Sequence, residues 1–194
     1  MKILLAPVFV AVILGCNSRP KEPQTLTTDS LSATVSTQAS DTAAIIQHIK
    51  EVYTNINKEQ LTQKSFEWEA DTTCEAPPMG GTLTYFYRGN ELVKMWNAGG
   101  EDHGSWKEEY YFDEDQLVFI YQNNTYGGAA NPDEVSYQNR YYFYNNQLIK
   151  KIEGESGAQL STSSVHDLSK TIYRLKQAGN SAAISRILSC NTEE

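Results

Sequence analysis

Histidine is scarce in this chain, and its three copies, His48, His103 and His166, stand far apart. A zinc site needs four well-spaced nitrogen or sulfur ligands, so this scatter argues against one. Basic residues are also short: 16 Lys and Arg against 24 Asp and Glu give a formal net charge of −8. Nucleic-acid affinity depends on cations that neutralise phosphates, so no nucleic-acid partner is expected. The same shortage argues against broad adhesion to anionic lipid; acidity suits cationic partners, cations or plain solubility. No G-x-S-x-G, P-loop or dinucleotide fingerprint occurs, so no cofactor is called for and no catalytic residue is assigned. Beyond residue 14 no apolar run approaches the roughly 20 residues that a membrane span needs.

What is present begins with an address. Lys2 is followed by the apolar stretch Ile3–Leu14, broken only by Pro7. A basic start, a short apolar core and a small residue before the cut make a secretory signal. Its ending, Ile13-Leu14-Gly15-Cys16, resembles the lipobox of bacterial lipoprotein signals. The resemblance implies that the Cys16 thiol receives diacylglycerol and that the chain is cut before it, leaving the protein exported and held to a membrane through N-terminal lipid. The alternative is an ordinary signal peptide that contains a cysteine. Asn17 follows Cys16 and is compatible with the outer membrane. Residues 1–15 are thus read as signal peptide and 16–41 as a lipidated cysteine with a tether. Ten of the 25 residues from 17 to 41 are Ser or Thr and none is aromatic, too little apolar surface to offset ordering entropy. Residues 42–194 are left as one globular domain.

Three cysteines occur in all. With Cys16 acylated, Cys74 and Cys190 form an even pair in an oxidising compartment, and a disulfide is expected; two buried free thiols are the alternative.

Ten of the twelve tyrosines lie between positions 85 and 144, inside a threefold repeat. Its copies start Tyr85-Phe86-Tyr87, Tyr110-Tyr111-Phe112 and Tyr141-Tyr142-Phe143, and after a polar turn close on Leu92-Val93, Leu117-Val118 and Leu148-Ile149. Aromatic and β-branched runs around a polar turn signal hairpins, with turns at 88–91, 113–116 and 144–147. This register sets Tyr87 against Leu92, Phe112 against Leu117 and Phe143 against Leu148. Continued without interruption it sets Phe86 against Val93, Tyr111 against Val118 and Tyr142 against Ile149. Both faces are then apolar near the turns, and both need cover. These tandem hairpins, over residues 85–152, resemble those of uncharacterised lipoproteins of Bacteroidota. That resemblance implies a fold and no activity. A fainter likeness to YD and MORN-type repeats lacks the regular glycines of the latter.

Helices supply the cover. Ile45, Ile49, Val52 and Ile56 form one stripe over 42–57, and Val165, Leu168, Ile172 and Leu175 form another over 165–178. Ser164 suits the N-cap of the second, Asp167 its first turn and Gly179 its end. A short helix over Ser181–Leu188 and a lead-in strand at Phe66–Glu69 complete the set. The fold class is α+β: an antiparallel meander of about six to eight strands built from three hairpins, packed with an N-terminal helix and one or two C-terminal helices.

Two segments between hairpins, 97–106 and 123–134, read as Gly-rich loops at one end of the sheet. Trp96, just before the first segment, and His103, Trp106, Tyr126 and Asp133 within the two make a candidate binding surface; long connections are the bland alternative. Glu101, Asp102 and His103, and the run Asp113-Glu114-Asp115, lack the pattern of a zinc or EF-hand site, and no metal ligand is assigned. The functional expectation is a membrane-anchored, non-enzymatic binding module of the bacterial envelope, with a protein or envelope component as partner. One alternative is an inhibitor or immunity-type protein against a basic hydrolase, since periplasmic lysozyme inhibitors share this general build, though none of their motifs. The other is an enzyme, which would need polar groups to converge in a cleft around His103.

Overall fold

The structure is a computed structural model that describes residues 32–127, 134–154 and 160–190, excepting the side chains of 32–40. Cys16 and Asp133 lie outside the described residues. Helix α1 (Ser32–Ile56) is followed by strands β1 (Thr62–Glu69), β2 (Met79–Arg88), β3 (Glu91–Glu101), β4 (Gly104–Asp113), β5 (Gln116–Tyr126), β6 (Val135–Tyr144) and β7 (Gln147–Ile152). Helices α2 (Thr162–Gln177) and α3 (Ser181–Ser189) close the order. The strands form one antiparallel sheet in the order β1-β2-β3-β4-β5-β6-β7. This is the α+β meander that the repeat and the helical stripes call for. Helix α1 starts ten residues earlier than its apolar stripe, inside the stretch read as tether.

Each repeat is one hairpin. Tyr87 pairs with Leu92, Phe112 with Leu117 and Phe143 with Leu148. The tight turns use left-handed backbone at Gly89, at Glu114 and Asp115, and at Asn145 and Asn146, the geometry that matches the twist of two-residue hairpins. One step beyond the turn the uninterrupted register fails in all three copies. Phe86 pairs with Lys94, Tyr111 with Phe119 and Tyr142 with Lys150, each after a register shift. Val93, Val118 and Ile149 are the extra residues of β-bulges, so two consecutive residues follow Leu on the same face. The bulge brings Met95 opposite Tyr85 and Ile120 opposite Tyr110.

The sheet is covered on both faces. On one, Tyr85, Met95, Tyr110, Ile120 and Tyr141 pack under Val165, Ile172, Leu175 and Ile184 of α2 and α3. On the other, Val93, Tyr111, Phe119 and Tyr142 pack under Ile49 and Ile56 of α1. Tyrosine hydroxyls tie the layers together. Tyr85 donates to Leu175 O at 2.6 Å, at the end of α2, and Tyr173 bridges Leu117 N and Asn146 Oδ1. Asn57, just past α1, donates to the Tyr111 hydroxyl at 2.9 Å. Ser161, not Ser164, caps α2: its Oγ accepts from Ser164 N at 3.1 Å. The helix ends at Ala178 in extended backbone, so Gly179 supplies no left-handed turn. Asn180 caps α3 through Ala183 N.

The segment 97–106 is strand rather than loop, turning only at Asp102 and His103. Its glycines permit close approach. Gly99 pairs with Gly81, and a Cβ on Gly99 would lie 2.4 Å from Gly80 O and 2.6 Å from Trp106 Cζ2. The Trp106 ring occupies the space that a side chain would need.

Cys74 and Cys190 form a disulfide across a separation of 116 residues. It fastens the β1–β2 connection to the end of α3, beside a hydrogen bond from Asp71 N to Ser189 Oγ. Replacing both cysteines by alanine is expected to cost about 4–5 kcal/mol, the chain-entropy figure for a loop of this size. Urea unfolding measures it, and an unchanged midpoint would contradict the stapling role.

Candidate functional site

The period of two that buries tyrosines on the α2/α3 face also places polar residues in the next row. Asn97, Glu108, Gln122 and Asn139 stand side by side on four adjacent strands. They are bonded to one another and to their surroundings. Trp68 Nε1 donates to Asn97 Oδ1 at 3.2 Å, Gln122 Nε2 to Glu108 Oε1 at 2.7 Å, and the Tyr110 hydroxyl also donates to Glu108. Gly154 N reaches Asn139 Oδ1 at 3.1 Å, while Glu153 accepts from Leu160 N and pairs with Lys151. This row joins the sheet to the chain that leads into α2. One row on, Asn124 Oδ1 is buried and among the described residues has no hydrogen-bond partner.

Glu109, next in sequence, faces the other way. Its carboxylate lies 2.8 Å from Lys94 Nζ and 3.4 Å from Lys107 Nζ, and accepts from the Tyr111 hydroxyl. Lys94 also donates to Asn57 Oδ1 and sits over the Tyr111 ring. Two neighbouring carboxyls therefore titrate in opposite directions. Burial holds Glu108 above the ordinary carboxylate value despite its hydrogen bonds. Burial alone would raise Glu109 too, but the bonds from Lys94 and Tyr111 and the lysine charges outweigh it and hold Glu109 low.

Beside that ion pair, α1 and the sheet leave a cleft of about 360 Å3. Helix α1 contributes Lys50 and Tyr53; β5 and β6 contribute Phe119, Tyr121, Arg140 and Tyr142. The rings form a continuous wall. Tyr53 meets Tyr111 at 5.0 Å and Phe119 at 5.6 Å, and Phe119 meets Tyr142 at 4.9 Å. Tyr53 is nonetheless 39% exposed. Arg140 lies over the Tyr121 ring at 5.3 Å and donates to Gln138 Oε1 at 2.9 Å. Among the described residues neither Arg140 nor Lys50 has a carboxylate partner. Such an arrangement can bind and orient a ligand; it holds no nucleophile with an adjacent base.

The residues singled out from sequence do not form one surface. Trp96 belongs to the α1 face, under Lys107 at 4.6 Å, with its Nε1 buried and, among the described residues, without a partner. Trp106 lies on the α2/α3 face against Trp68. Tyr126 shares that face at its open end, stacked on Tyr137 at 5.9 Å, and burial first, then Tyr137, pushes its hydroxyl up to about 12. His103 is exposed on the β3–β4 turn; its backbone oxygen accepts from Gly127 N, and among the described residues its side chain has no hydrogen bond. Among the described residues, the cleft of about 560 Å3 beside this turn is lined by Glu101 and Asp102 and not by His103. Among the described residues, Asp71, Cys74 and Cys190 are the group of three side chains close enough for a metal. Its two sulfurs are bonded to each other and cannot serve as thiolate ligands.

Lys50, Tyr53, Tyr121 and Arg140 were not singled out from sequence. A signal exists once the copies are superposed. Arg140 aligns with Thr84 and Glu109, and Tyr121 with Trp96 and Ile152, so these positions differ where the packed ones recur. That they meet Lys50 and Tyr53 depends on where α1 docks.

The opposed carboxyls make a paired prediction. A raised folded-state pKa favours folding below the unfolded value and loses that contribution as pH rises through the folded one; a lowered pKa does the reverse. Glu108→Gln should therefore raise the melting temperature at neutral pH, with the gain shrinking in acid below the ordinary carboxylate range. Glu109→Gln should lower it at neutral pH, with the loss shrinking in acid as the wild-type carboxylate is protonated. Calorimetric melting across pH checks both, and equal offsets at all pH values would contradict the assignment. With the geometry in hand, comparison with known proteins adds no identity: no protein-family model, curated protein or solved structure matches this chain.

Proposed function

We propose that this chain is an exported, lipid-anchored, non-enzymatic binding module of the bacterial envelope, with the α1 cleft as its ligand site. The observation that carries the binding reading is the cleft itself: aromatic walls and two cations that have no acid partner among the described residues. A volume of about 360 Å3 lies near the low end of the roughly 300–1,000 Å3 typical of small-molecule sites. The address is supported by the lipobox-like ending at Cys16 and the Ser/Thr-rich stretch behind it. Among the described residues no helix is long and apolar enough to cross a membrane, so attachment in this reading comes from lipid on Cys16. Two or more acyl chains hold a protein at a bilayer where one does not.

Expression of the full chain in a bacterium tests the address. Wild-type protein is expected in the membrane fraction with acyl mass on its mature N-terminus, and Cys16→Ser protein in the soluble fraction. Identical fractionation of the two proteins would overturn the anchor.

A further inference from the structure

We propose that the α1 cleft takes a small aromatic monocarboxylate, with its acid group between Arg140 and Lys50 and its ring against Tyr53, Tyr121 and Phe119. This rests on the reading of the cleft as the ligand site. Charge selects the acid. Carboxylates outnumber cations in this chain, yet among the described residues the cleft leaves one cation on each wall without a carboxylate: Lys50 from the helix and Arg140 from the sheet. One guanidinium nitrogen of Arg140 is spent on Gln138. Its other donors keep the planar fork that engages a carboxylate with two parallel bonds. The nearby acid on this face, Glu109, is already matched by Lys94 and Lys107, though its charge is still felt at Tyr53. Tyr53 remains a neutral hydroxyl there, since burial, then Glu109, raises its pKa.

Shape and ring chemistry select the body. Tyr53 packs one side against Tyr111 and Phe119 and leaves the remainder open. Tyr121 presents its ring with Arg140 above it. A flat π system entering here meets ring faces and edges at the separations of 4.5–7 Å that aromatic pairs favour. A flexible alkyl acid gains area but no such pairing, and must immobilise its chain. The volume fits one or two rings.

Titration calorimetry on the full chain in detergent tests this with naphthoate, neutral naphthalenemethanol, decanoate and inorganic phosphate as probes. Naphthoate is expected to bind one to one, about tenfold or more tighter than each of the other three, as one charge-assisted contact allows. Arg140→Gln should cost about the same factor for naphthoate and leave naphthalenemethanol unchanged. Lys170→Gln, which removes a lysine paired with Asp167 on α2, should change neither, and retained melting temperatures separate binding loss from misfolding. Equal affinity for acid and alcohol, preference for decanoate or phosphate, or naphthoate binding indifferent to Arg140→Gln would each overturn the ligand class while leaving a binding cleft. Absence of binding by all four probes would overturn the cleft as ligand site, and leaves the lipid anchor to be decided by fractionation alone.

Discussion

Tyr110 and Tyr111 are adjacent on one strand, so they point to opposite faces of the sheet, and both are buried to within 1% of their surface. The rest of the structure follows from that constraint. A ring of this size removes about 150–250 Å2 from water when it is buried, and here each face carries several. A sheet with a wet side would expose half of them. The chain instead builds a helical layer on each side: α1 over Tyr111, Phe119 and Tyr142, and α2 with α3 over Tyr85, Tyr110 and Tyr141.

The bulges make double burial workable. Without the extra residue, every position after Val93, Val118 and Ile149 would fall on the wrong face, because strand side chains alternate strictly. With it, Lys94, Phe119 and Lys150 share the α1 face with Val93, Val118 and Ile149, and Met95 and Ile120 meet tyrosines across the ladder. The cost of burying both faces is borne by polar groups at the same phase one row on. On the α2/α3 face they form a hydrogen-bonded amide row around Glu108; on the α1 face the Lys94–Glu109 pair does the equivalent work. A buried charge is tolerated when it is paired and bonded: Glu109 meets that condition through Lys94, whereas Glu108 has hydrogen bonds from Tyr110 and Gln122 and, among the described residues, no cation.

Much of this was legible. Three copies of one pattern specify three hairpins and their turn pairs, because aromatic and β-branched runs tolerate few other arrangements. The bulges were not legible, since Leu-Val and Leu-Ile are apolar at both phases and permit either register. The segment 97–106 reads as loop because Gly99 and Gly100 lower strand propensity. The compensation is tertiary: Gly80 and Gly81 lie opposite, and Trp106 fills the gap. Helix α1 begins at Ser32 although Ser and Thr dominate there, and the useful signal was the lack of any Pro or Gly between Pro23 and Pro77. The polar row was written in the repeat itself, as Asn97, Gln122 and Glu153 at matching positions. The cleft was not, because its helix wall and its sheet wall are 66 residues or more apart in sequence from Tyr53 to Phe119. Of the aromatics chosen from sequence, Trp96 and Trp106 were separated by the parity of their strands.

Helix α1 acts as a full layer of the core: it both shields the second tyrosine row and forms one wall of the cleft. Native-state hydrogen exchange across α1 measures this directly. The buried stripe around Ile49 and Ile56 should exchange with an opening free energy close to that of β4 and β5, as one cooperative unit. Exchange in α1 that is orders of magnitude faster, with β4 and β5 still fully protected, would show a sheet that does not depend on the helix and would contradict the account.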